Sequence, residues 1–117
     1  MILYLCNMAG LNKNEKLICE AAKSRNAILR QAFALTASFL KADGLLKNDD
    51  SDYRYFEYLY TVKHKSKTFY NIATEVFNTS VSTLEDRRKE FVTVFNFYFD
   101  LVSKGVMFEE VAAVKNE

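Results

Sequence analysis

The chain has no proline, no tryptophan, one histidine, two cysteines and only three glycines among 117 residues. Turns of β and α/β folds recruit glycine and proline heavily, so their scarcity argues against both classes. Three cysteine or histidine residues fall short of the four ligands that a structural zinc site needs. Two cysteines also build no secreted disulfide framework, so Cys6 and Cys19 read as thiols in a reducing compartment. No Gly-rich phosphate loop, HExxH pair or GxSxG turn occurs, and the single histidine has no evident nucleophile beside it. Asp43, Asp49, Asp50 and Asp52 lack the glycine and the glutamate of a calcium loop. No metal, cofactor or catalytic residue is expected. The opening MILYLCNMAG has no basic flank and too short an apolar run for a signal peptide or membrane span. A cytoplasmic protein of one domain, residues 1–117, is the expectation.

Charge of either sign is also not in excess: sixteen basic against fifteen acidic residues leave a net +1. Such a balance gives no long-range attraction to nucleic acid or to an anionic membrane. Lys63 and Lys65 diverge on a helix, and Arg87-Arg88-Lys89 is bracketed by Glu85, Asp86 and Glu90, so neither run makes a phosphate track.

What the chain does have is helical periodicity. From Asn12 or Lys13 to Asp43, the residues Leu17, Ala21, Ile28, Ala32, Leu35 and Phe39 keep one face, and Gly44 supplies a stop with Leu45 following. The acidic link LLKNDDSD offers Asp49, Asp50 or Ser51 as caps for a second helix, Asp52 to Phe77. Its apolar line holds Tyr55, Leu59, Val62, Ser66, Phe69, Ala73 and Val76, with Tyr58, Tyr70 and Phe77 beside it. Ser82-Thr83-Leu84-Glu85 reads as a capping box for a third helix, which ends at Gly105. A short C-terminal helix carries Met107, Val111 and Val114. The predicted fold class is all-α: an antiparallel bundle of three long helices plus that short one. The ending FLKADG before an acidic link resembles the TerB-like helical domains of tellurite resistance over those residues. The metal-binding acidic pattern of that family is absent downstream, so the resemblance implies no role here.

Two groups of side chains fall off the predicted core. Tyr53, Tyr60, His64, Lys67 and Asn71 share a stripe opposite the apolar line of the second helix. Tyrosine offers large contact area with few rotors to freeze, so the stripe reads as a partner-binding face; the alternatives are a contact with the N-terminal segment or ordinary surface tyrosines. Phe97, with Leu101 one turn on, leans toward the polar side of the third helix. Together with Ile2, Leu3 and Leu5 it forms a candidate contact for a homodimer, or a seat for the last helix. The expected function is a non-enzymatic interaction module that docks on a larger protein and occludes it. Plentiful Phe, Tyr, Asn and Lys, all with A/T-rich codons, fit a phage or mobile-element regulator or inhibitor. A nucleic-acid-associated protein and a purely structural homodimer are the alternatives.

Overall fold

The computed structural model describes residues 13–61 and 68–106, and among these there is helix and no strand. In chain order they form α1 (Lys13–Lys23), α2 (Ala27–Lys47), α3 (Ser51–Thr61), α4 (Phe69–Asn71) running into a π-helical turn (Ile72–Val76), and α5 (Val81–Ser103). The expected all-α class holds, but the lengths differ from three long rods. Among the described residues only α2 and α5, at 21 and 23 residues, are long. The expected C-terminal helix, with Met107, Val111 and Val114, lies outside the described residues.

The first expected helix is two helices. Asn26 sits in extended backbone (φ −66°, ψ 123°), and its side chain accepts hydrogen bonds from the amides of Ile28 and Leu29 at 3.0 and 3.1 Å. This is an N-cap inside an unbroken apolar period, and local capping wins because the bend lets α1 fold back. α1 then packs on α2, α3 and α5, burying Ile18, Cys19 and Ala21.

Gly44 does not stop α2. The helix continues to Lys47 and ends at Asn48, whose φ of 57° is left-handed. Asn tolerates that conformation better than other non-glycine residues. Gly44 serves a different need: a Cβ there would meet the Asp49 carbonyl oxygen at 3.0 Å and the Asp50 Cα at 3.1 Å. Both neighbours are backbone and cannot swing away. Gly44→Ala is therefore expected to cost about 1–3 kcal/mol in overpacking, more than the ~1 kcal/mol gained in helix propensity. Urea unfolding should show a net loss of about 1 kcal/mol. Leu45, expected as an apolar stop contact, is exposed instead.

The second expected helix is also interrupted. Thr68 has extended backbone (φ −80°, ψ 164°) and caps a new start by accepting from the Asn71 amide at 3.1 Å. Beyond it, left-handed Asn78 closes the π turn, with the Thr79 amide bonded to the Ala73 carbonyl at 2.9 Å. α5 begins two residues early: Ser80, not Ser82, is the cap, accepting from the Thr83 amide at 3.1 Å. Its end is as expected. Gly105 (φ 86°) donates to the Val102 carbonyl, and Val106 donates to that of Leu101, the paired bonds of a Schellman ending.

The core gathers where α1, α3 and α5 converge on α2. Phe56, Phe91, Phe95, Ile18, Leu59, Ile72 and Leu84 are fully buried. Phe56 is its centre, with ring contacts to Phe33, Tyr60 and Phe91 at 5.0, 5.2 and 5.5 Å. Tyr55 and Tyr58 both make T-shaped contacts with Phe77, ring centres 4.7 and 5.3 Å apart. Ile28, Phe39, Tyr70 and Val76, all expected in the core, are exposed.

Candidate functional site

Tyr60, in the middle of the predicted tyrosine stripe, is not a surface residue. Tyr60 is 4% exposed and its hydroxyl donates to Glu15 Oε2 at 2.5 Å, so α1 covers it. Tyr53 is half-buried against the core, with the Lys41 ammonium 5.9 Å from its ring centre. Asn71 belongs to α4, which starts anew at Thr68, and so does not continue a line from Tyr53 and Tyr60. His64 and Lys67 lie outside the described residues, as do Ile2, Leu3 and Leu5. Of the predicted stripe, Tyr60 is corrected from partner anchor to core.

In place of the stripe there is a buried polar clasp. Glu15, at the start of α1, is 1% exposed. Arg88 of α5 grips it with two parallel bonds: Nε to Oε2 at 2.7 Å and an Nη to Oε1 at 2.5 Å. A bidentate fork of this kind fixes orientation as well as charge. The guanidinium also lies 4.6 Å from the centre of the Phe69 ring, so α1, α3, α4 and α5 meet at one carboxylate. Burial pulls the Arg88 pKa down, but the bonds and charge of Glu15 outweigh it and hold it above the ordinary arginine value.

Burial, then the Glu15 charge and hydrogen bond, push the Tyr60 phenol well above its usual value of 10. The folded state therefore favours the neutral phenol. Stability from this group is fully present below pH ~10, where the unfolded chain is also protonated, and is lost as pH rises through the folded value. Above pH 10 the wild type should lose about 1.4 kcal/mol per pH unit more than Tyr60→Phe, a slope readable from urea melts at several pH values. At neutral pH the same variant should be weaker by about 1.5–3 kcal/mol, the worth of a hydrogen bond to a charged acceptor.

Neither Glu15 nor Arg88 was singled out by sequence reasoning, yet both carried a signal. Glu15 stands three and four residues before Ile18 and Cys19, on the apolar side of α1. Arg88 falls on the buried line Leu84, Phe91, Phe95 of α5. A charge on each of two apolar faces is best explained by their meeting.

Two surfaces lie elsewhere on the fold. A cleft of about 310 Å³ opens where the end of α2, the start of α3 and the first turns of α5 meet. Its charges close on one another: Lys47 with Asp43 at 2.9 Å, Arg87 with Asp52 at 3.4 Å, and Asp49 with the amide and hydroxyl of Ser51. Among the described residues no group of three His, Cys, Asp or Glu is arranged to hold a metal ion, and no helix is long and apolar enough to cross a membrane. The second surface is aromatic. Phe97 is 59% exposed and Phe39 43%, and each lies beside Tyr98, with ring centres 5.2 and 6.4 Å away. Phe97 is thus placed outward, as its off-pattern position suggests; Leu101, one turn on, is half-buried. Phe39 was missed because its spacing matches the core line of α2.

Compared with known proteins, the chain matches no family model, no curated protein and no solved structure.

Proposed function

We propose that this chain is a non-enzymatic protein–protein interaction module, a small cytoplasmic regulator that docks on a larger protein and blocks it by occlusion. The docking face is the aromatic group Phe39, Tyr98 and Phe97, in place of the tyrosine stripe. The observation that carries this reading is three neighbouring rings on α2 and α5, two of them substantially open to solvent. Exposed aromatic clusters are more typical of interfaces than of free surface, and rigid rings lose little entropy on contact. A net charge of +1 offers little to phosphate, so the partner is a protein presenting an uncharged apolar cleft rather than a nucleic acid. A phage or mobile-element origin suits a small occluding protein of this kind.

The test is affinity capture from cells of the native host with wild type and Phe97→Asp side by side. One defined protein retained by the wild type and lost with the variant, at an unchanged melting temperature, supports the reading. Equal retention by both chains contradicts it. Binding to DNA that weakens steeply with salt would favour the nucleic-acid alternative instead.

A further inference from the structure

The bend between α1 and α2, Lys23-Ser24-Arg25-Asn26-Ala27, contains neither glycine nor proline. The apolar positions on either side keep one helical phase, Leu17 and Ala21 before it, Ala32 and Leu35 after it. Nothing in the covalent chain enforces a bend here. Besides the burial of Ile18, Cys19 and Ala21, two reversible sets of polar contacts hold it. At the hinge, Ser24 Oγ accepts from the Asn26 amide at 2.9 Å, and Asn26 Oδ1 accepts from Ile28 and Leu29. At the far end, Glu15 is clasped by Arg88 and Tyr60. The seat of α1 is therefore a groove with a specific polar lock, and the segment that fits it is Lys13–Lys23 itself.

We infer that α1 is exchangeable between two copies of this chain. If Ser24–Asn26 continues as helix, α1 and α2 become one rod of about 50 Å, at 1.5 Å per residue. The bent chain is 38 Å in its longest dimension. In the straight form α1 cannot reach its own seat and enters that of a second copy, which returns its own α1. Each buried contact of the bent monomer is re-formed between chains, so the two states differ only at the hinge and in association. The aromatic face proposed above takes no part, and the inference stands independently of it.

Reversing one lock residue on each of two chains tests this. In Glu15→Arg alone two guanidiniums face each other in the seat, and in Arg88→Glu alone two carboxylates do. In an exchanged heterodimer each seat again holds one carboxylate and one guanidinium. The two variants, refolded together from urea, should give a 1:1 complex by native mass spectrometry, of twice the 13.5 kDa chain mass. A mixture that contains no such complex overturns the inference, provided the hinge variants agree. Those are made in the otherwise natural chain, with its lock intact. Ala27→Pro suits the bent form, because proline is tolerated at a first helical position and the preceding Asn26 is already extended, but it cannot sit inside a continuous rod. Ser24→Ala with Asn26→Ala removes the hinge caps and should raise the dimer fraction by roughly tenfold or more over Ala27→Pro at equal concentration. Equal dimer fractions in the two hinge variants, or a dimer abolished by Phe97→Asp, would overturn it.

Discussion

Arg88→Ala is expected to destabilise the protein by about 3–5 kcal/mol, because it takes the bidentate guanidinium from the Glu15 carboxylate where only 1% of the residue is exposed. A chain of this size has a total stability of about 5–15 kcal/mol, so urea melts should place the variant near the edge of folding. The loss measures what is left behind, not what the pair contributes. Taking two charges out of water is itself costly, and buried pairs replaced whole by apolar residues of similar volume are often neutral or better. The triple variant Glu15→Met, Arg88→Leu, Tyr60→Phe removes the carboxylate together with its donors Arg88 and Tyr60. Its stability should return to within about 1 kcal/mol of the wild type or exceed it. Equal damage by the single and triple variants would mean that the seat of α1 depends on the shape of the clasp rather than on its charge balance.

Phe56→Ala should be comparably severe, at about 3–5 kcal/mol, for a different reason. The ring is 1% exposed and touches Phe33, Tyr60 and Phe91, which belong to three helices. Removing it deletes transfer energy and leaves a cavity that three rigid rings cannot collapse to fill. The control is Phe97→Ala, which removes an equally large ring from a 59% exposed position and should shift stability by less than about 0.5 kcal/mol. Similar losses in both variants, by urea unfolding, would show that Phe97 is covered in solution.

These two effects also mark where sequence reasoning reached and where it stopped. The helical class, the start of α3 beside Asp49, and the end of α5 at Gly105 all follow from local chemistry, and each is present. The misplaced helix boundaries share one cause. Asn26, Thr68 and Ser80 act as caps by local hydrogen bonds, but each lies in a stretch whose apolar period runs on or begins again nearby. Whether a polar residue caps or stays mid-helix depends on what the bent chain can bury, and that is a tertiary question. Phe56 was overlooked because it is flanked by Tyr55 and Glu57 and stands off the Tyr55–Leu59 line. Tyr60 was assigned outward because the apolar arc of the second helix was drawn without α1, which supplies the other wall. Gly44 was assigned to a turn because the Asp49–Asp50 backbone that presses on it cannot be seen from its own neighbours.

Tyr60 and Glu15 together move the functional question away from α3. A ring that donates to a buried carboxylate is part of what holds α1 down, whereas Phe39 of α2 and Phe97 of α5 face outward. The buried clasp and the exchange of α1 both presuppose a seat for α1 on the core. Hydrogen exchange along α1 tests this seat most directly. The amides from Leu17 to Lys23 should exchange slowly at neutral pH, with opening free energies approaching those of Phe91 to Phe95 in α5. Exchange of the α1 amides at the rate of an unstructured peptide, while α5 stays protected, would contradict the seat and with it the buried clasp.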